Sequence, residues 1–213
     1  MKVAVIGAGA SGLTAIKCFK DEGMVPVCFE QEQNIGGLWY FTEKDRPTVS
    51  SVYRSTVINT SKEMMCFSDF PIPKDFPPFM HNKYVMKYFN LYAEHFDLLK
   101  YIQFGTKVLD VKRAHDYDDT GRWELKYCRC GETSSNEVET ELFDRVLVCT
   151  GHHWKTSWPD FPGMKDFSGF LMHSHSYKDF KPFEGKNVLV VGMYYDFVFV
   201  SFQKQQFYML QLL

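Results

Sequence analysis

Residues 2–30 read KVAVIGAGASGLTAIKCFKDEGMVPVCFE, and they decide the fold. Lys2 to Ile6 is a short apolar run with the look of a buried strand. Three glycines follow, and then Ala15, Ile16 and Phe19 recur at helical spacing from Ser11 to about Glu22. Gly23 stands where a helix ends in a left-handed residue. Val25 to Glu30 is a second strand, with Pro26 tolerated near its start. The spacing predicts one β-turn-α-β unit and an α/β fold.

Gly7-Ala8-Gly9-Ala10-Ser11-Gly12 has the form G-x-G-x-x-G, directly after a strand and opening a helix. The first glycine permits a tight turn, the second lets backbone approach a pyrophosphate, and the third lets helix and strand pack closely. A helix N-terminus offers free N–H groups and the positive end of a dipole to phosphates. Glu30 closes the second strand, where a carboxylate accepts hydrogen bonds from ribose hydroxyls and repels a 2′-phosphate. FAD and NAD both fit this pattern, and NADP fits poorly. Gln33-Asn34-Ile35-Gly36-Gly37-Leu38-Trp39 follows. Its paired glycines suit backbone passing close to a flat cofactor, and equally a tight turn with a packed Trp.

Beyond this unit, Phe67 to Phe79 carries four prolines (71, 73, 77 and 78) and is expected as an extended surface or pocket-wall loop. Residues 81–98 place apolar side chains at 84, 85, 88, 89, 92 and 96, a helical pattern. Lys107 to Arg113, Arg122 to Tyr127 and Glu137 to Phe143 are three strand candidates. The turns Asp116–Gly121 and Gly131–Asn136 separate them, as in a β-meander. Arg145 to Cys149 is expected to return to the parallel sheet, and Asn187 to Val191 reads as a further buried strand. Gly151 to Gly185 is a long connection rich in aromatics, His and Pro.

A chain of 213 residues with 45% hydrophobic and 23% charged residues can bury a sizeable core. A net charge of -2 gives no electrostatic case for nucleic acid or an anionic membrane as partner. The six cysteines include no CxxC pair, which argues against a zinc ribbon or a redox dithiol and for reduced thiols on the cytosolic side of a membrane. Metal binding is not expected. His152 and His153 point to opposite sides of an extended segment, and His173 and His175 lack further ligands nearby, so hydrogen bonding is the expected role of His173.

Taken with GAGASG and the IGGLW loop, three further segments resemble the flavin-containing monooxygenases of animal microsomes. They are Ile58 to Phe67 (INTSKEMMCF), Cys149 to His153 (CTGHH), and Phe167 to Asp179 (FSGFLMHSHSYKD). The last matches F-x-G-x-x-x-H-x-x-x-[YF]-K-[PD] at every fixed position. The resemblance runs from residue 1 to about Gly192 and covers less than half of a typical family member. It implies a three-layer Rossmann-type FAD-binding domain over 1–150, containing the β-meander, and the start of an incomplete Rossmann-like NADPH-binding domain over 151–192. By resemblance, NADPH reduces FAD, O2 reacts with the reduced flavin, and one oxygen atom passes to a soft nitrogen or sulfur of a small amine or sulfide. Asn59 matches the family's catalytic Asn beside the flavin. Leu38, Trp39, Ile58 and Thr60 join Gly7 to Gly12 and Glu30 as cofactor contacts.

By the same resemblance, the strand at Val188 to Val191 should open another G-x-G-x-x-G for NADPH. Gly192 is present, but Tyr194 and Phe197 occupy the next two glycine positions. A Tyr fills space that a pyrophosphate needs. Residues 193–213 diverge into an aromatic tail with a β-prone run, Phe197 to Val200, that is expected to aggregate if exposed. Gln203 to Gln206 interrupt any membrane-spanning reading. The family's hydrophobic C-terminal anchor to the endoplasmic reticulum is not recognisable, which leaves a cytosolic location open. Two expectations therefore stand side by side, an NADPH-dependent flavin monooxygenase and a non-catalytic FAD-binding fragment.

Overall fold

The computed structural model describes residues 1–46, 48–130, 137–192 and the backbone of 207–211. The expected Gly131–Asn136 turn, Tyr194, Phe197, the Phe197–Val200 run and Gln203–Gln206 lie outside the described residues.

Strand β1 (Lys2–Ile6) sits inside a four-stranded sheet. It pairs in parallel with β2 (Val25–Phe29) on one side and β7 (Arg145–Val148) on the other. A two-residue strand that the sequence did not announce, β3 (Ile102–Gln103), extends the sheet beyond β2. Helix α1 (Ala10–Asp21) makes the crossover from β1 to β2, and Gly23 beyond it takes φ +69. Helix α3 (Asn82–His95) matches the helical pattern and buries Val85, Tyr88, Phe89 and Tyr92.

The meander is β4 (Thr106–Arg113), β5 (Trp123–Arg129) and β6 (Val138–Phe143), antiparallel in that order, with the short helix α4 (Tyr117–Thr120) in its first turn. Alternation along β1 and β2 divides the core into two layers. Val5 and Cys28 face the helices, packing with Leu13, Ile16, Tyr88 and Phe89. Ala4 and Phe29 face the meander, packing with Leu125, Tyr127 and Phe143. Helices, parallel sheet and meander thus form the three layers expected from the sequence.

The proline-rich segment is wall rather than surface loop at Ile72 and Phe76, both buried against the helical side. The short helix α2 (Lys62–Met65) precedes it. Strand β8 (Val188–Gly192) pairs in parallel with β9 (Phe207–Gln211), separately from the four-stranded sheet. It is not buried as its apolar sequence suggested. Leu189 is 56% exposed, because among the described residues no layer covers that pair. The His152–His153 expectation also needs correction. His153 adopts φ +58, so the segment is not extended, and the two rings lie 4.2 Å apart edge to face.

Candidate dinucleotide site

Each glycine of the fingerprint has a separate physical reason. Gly7 takes φ +101, and a Cβ there would stand 2.5 Å from the Cys149 carbonyl oxygen at the end of β7. A Cβ on Gly12 would lie 1.9 Å from the Gly7 carbonyl oxygen, so only glycine lets α1 cross the turn this closely. Gly9 is different: its Cβ would meet only Gly37 backbone, at 3.7 Å. The space beside Gly9 is therefore free for a ligand to approach the main chain.

Helix α1 starts on Gly9 with no side-chain cap. Its leading N–H groups have no intrahelical partners and point out of the first turn. Ser11 is exposed there, while Ala8 is fully buried. Ala8 is held on both sides of its peptide: its N–H donates to Glu30 Oε2 at 2.7 Å, and its carbonyl accepts from Gly36 N at 2.9 Å.

Glu30 is buried at 7% exposure, so it is no solvated strand end. Its second oxygen, Oε1, accepts from Glu32 N at 2.9 Å. Its own backbone is fixed by N–H donation to Gln103 O at 3.0 Å and by acceptance from Thr106 N at 2.8 Å. Burial pushes its pKa up, opposed by the backbone N–H groups of Ala8, Glu32 and Gln31. The two carboxylate oxygens offer four lone pairs, more than these three N–H groups use, so acceptor capacity is left for a further donor.

The second glycine pair belongs to this construction. Gly36 and Gly37 take φ +103 and +54, and a Cβ on Gly37 would sit 3.3 Å from Gly9 Cα. The 310 turn Gly37–Trp39 is pressed against the fingerprint turn, which neither sequence reading of that loop had specified. Trp39 is half-buried against the core cluster that contains Ala8 and Ile58. Leu38 is half-buried, and its carbonyl accepts from Val52 N at 2.8 Å.

Ile58 is buried and anchored by its N–H to Met80 O at 2.9 Å. Asn59 and Thr60 follow as an exposed turn. Among the described residues no hydrogen bond joins Asn59 to the 7–12 turn. The structure thus brings Gly7 to Gly12, Glu30 and the Gly36–Gly37 turn into contact, with Trp39 and Ile58 in the same core, and leaves Asn59 and Thr60 solvent-facing. Lys62, which the sequence did not single out, holds the proline-rich wall through main-chain oxygens.

The fingerprint at 167–179 is tied by hydrogen bonds and an ion pair. His173 Nδ1 accepts from His175 N at 3.1 Å, and His173 Nε2 lies 3.3 Å from Ser157 O. Arg54 N donates to Lys178 O at 2.8 Å, and Arg54 Nε meets Asp179 Oδ2 at 2.7 Å. The six cysteines are free thiols, and no group of three or more potential metal ligands occurs among the described residues.

The sequence matches the flavin-binding monooxygenase-like family over residues 1–198. The chain belongs to that family. It is 52% identical over 195 residues to flavin-containing monooxygenase 5 of Oryctolagus cuniculus, covering 90% of this chain and 36% of the relative. It is 50% identical over 194 residues to dimethylaniline monooxygenase [N-oxide-forming] 2 of Macaca mulatta, covering 90% and 35% respectively. Among solved structures it resembles S-allyl-L-cysteine S-oxygenase from Allium sativum, with TM-score 0.79, 28% identity, and coverage of 89% of this chain and 45% of that one. It also resembles Tmm from Pelagibacter sp. strain HTCC7211, with TM-score 0.78, 29% identity, and coverage of 92% and 46%. The chain spans about a third of the length of the curated relatives it matches.

Proposed function

We propose that this chain seats the diphosphate of FAD on the N-terminus of α1, with Glu30 holding the adjacent ribose. The carrying observation is the open backbone beside Gly9 at an uncapped helix start, next to a buried carboxylate. Ala8, Ala10 and Ser11 contribute backbone to that turn, and Leu38, Trp39, Ile58 and Thr60 line its approach. Asn59 is assigned the catalytic position beside the flavin ring, where its exposed amide offers both a donor and an acceptor.

When bound, the flavin supplies the redox chemistry that takes NADPH and O2 to oxygenation of a soft amine or sulfide. The protein's own part is to neutralise the diphosphate with helix N–H groups, to fix the ribose, and to shield one side with Trp39 and Ile58. We place the boundary of the FAD-binding domain near residue 150, because β7 ends the parallel sheet at Val148 and β8 pairs elsewhere. Residues 151–192 then begin the NADPH-binding domain, and 193–213 form the divergent tail. No helix among the described residues is long and apolar enough to cross a membrane, and attachment to the endoplasmic reticulum is carried here by family alone.

A second reading is favoured by Tyr194 and Phe197 in the second fingerprint. In it the chain binds FAD without accepting hydride from NADPH. Anaerobic titration of the FAD-loaded chain with NADPH separates the two: bleaching of the flavin absorbance supports the oxidoreductase, and an unchanged spectrum supports the FAD-binding fragment. FAD binding itself is tested by fluorescence quenching. ADP should compete and FMN, which lacks the adenosine half, should not. Failure of the chain to bind FAD at all removes both readings.

A further inference from the structure

Residues 71–79 contain four prolines, so this stretch has more carbonyl acceptors than N–H donors of its own. Lys62 supplies the missing donors. Its ammonium donates to Pro73 O at 3.2 Å, Lys74 O at 2.8 Å and Phe76 O at 2.7 Å. An ammonium has three N–H donors and no acceptor, so these carbonyls use its whole capacity. Its backbone N–H donates to Pro78 O at 2.8 Å. On the other side of the turn, Ile58 N donates to Met80 O at 2.9 Å, and Val57 bridges His81 antiparallel. The exposed Asn59–Thr60 turn is therefore suspended between two ties to one stretch of chain, residues 73–81.

We propose that Lys62 is a positioning residue: its grip on three carbonyls of the proline-rich wall fixes the Asn59–Thr60 turn at the flavin end of the site. The proposal rests on the reading of Asn59 given above. Lys62 reaches no cofactor and acts through the wall. Its effect is mechanical, because losing the ammonium takes the donor from Lys74 O and Phe76 O and leaves Pro73 O with only the Phe76 N–H at 3.1 Å, so the loop shifts toward water to satisfy them.

Lys62→Met keeps the apolar stem and deletes the donors, while Lys62→Arg keeps donors in a different fork. Lys62→Gln serves if the Met variant does not fold. Hydrogen exchange should rise roughly tenfold at the Ile58, Lys62 and Phe76 amides in the Met variant, the scale of one lost charge-assisted hydrogen bond. The amides of α1 should stay unchanged as an internal reference, and the Arg variant should recover most of the protection. Unchanged exchange at Ile58 overturns the proposal whether or not the chain binds FAD.

With FAD, Asn59→Ala and Lys62→Met should each weaken binding several-fold, and the double variant should lose less than the product of the two. Fully independent effects also overturn the positioning role. A wild-type chain that binds no FAD refutes the reading of Asn59 instead, and the exchange result then decides Lys62 alone.

Discussion

The Ala8 N–H donates to Glu30 Oε2 at 2.7 Å, joining the fingerprint turn to the end of the second strand across 22 residues of sequence. Glu30 thus holds the fingerprint turn in place, and on the proposed reading, in which it also holds the ribose, binding of the two halves of the adenosine diphosphate is coupled through one buried side chain. Glu30→Ala leaves the buried Ala8 N–H without a partner, which costs about 1–3 kcal/mol. A lowered denaturant midpoint together with lost FAD quenching is the expected result. Loss of FAD with unchanged stability would mean the bond does not hold the turn.

Glu30 also gives a pH dependence with a definite sign. Burial raises its pKa from the ordinary 4.5, against the backbone N–H groups that favour the anion. The folded chain then binds this proton more tightly than the unfolded chain does. Glu30's contribution is full below pH 4.5 and declines as pH rises through the raised folded value. Relative to Glu30→Gln, the wild-type chain should lose denaturant midpoint with rising pH in that window. The lowered pKa values of Asp69, Asp97 and Asp116, caused by Lys17 at Asp69, Lys100 at Asp97 and Arg122 at Asp116, are common to both chains and cancel. A wild-type advantage that grows with pH would contradict this assignment.

Gly9 and Gly12 should respond differently to the same added methyl. Gly12→Ala drives Cβ to 1.9 Å from the Gly7 oxygen and should leave little folded chain. Gly9→Ala has normal φ and no contact closer than 3.7 Å, so its melting temperature should stay near wild type. Its FAD affinity should nonetheless fall by about tenfold or more, because the methyl occupies the space through which phosphate reaches backbone. Circular dichroism and flavin fluorescence on the two variants separate fold from ligand. Full FAD affinity in Gly9→Ala would place the diphosphate elsewhere.

Tyr88 tests the aromatic wall. Its buried hydroxyl accepts from Phe67 N at 2.8 Å and donates to Phe70 O, and burial pushes its pKa up to about 12. Tyr88→Phe keeps the ring but strands the Phe67 N–H, so a loss of about 1–2 kcal/mol is expected in chemical denaturation. A neutral outcome would show that the Phe67 amide finds water instead.

The connection after residue 150 is tied to the preceding chain at several points: Arg54 meets Lys178 O with its backbone and Asp179 with its side chain, Ser50 Oγ donates to His152 O at 2.6 Å, and the Tyr53 and Tyr177 rings lie 5.3 Å apart. Asp179→Ala should speed proteolytic cleavage within 151–185 while leaving the unfolding of the FAD-binding layers nearly unchanged, since exposed ion pairs carry little of a domain's stability. Equal protection of that segment in wild type and variant would assign the fastening to the contacts other than the Arg54–Asp179 pair.

The sequence by itself determined the β-turn-α-β unit, the separate tasks of Gly7 and Gly12, the meander and α3. Each of these depends on local periodicity or on a steric rule that holds within one turn of chain. Residue identity also carried the family, because GAGASG and FSGFLMHSHSYKD are dense in unusual choices at fixed spacing. Tertiary structure alone decided that Gly37 presses on Gly9, that Gly36 bonds Ala8, that the two-residue β3 extends the sheet, and that Lys62 satisfies three carbonyls of the proline-rich wall. These depend on contacts between segments that only packing brings together, and no periodicity records them. The exposure of β8 follows from the same cause. Its apolar sequence shows a preference for burial, but burial needs a covering layer, and that is a property of the neighbours rather than of the strand.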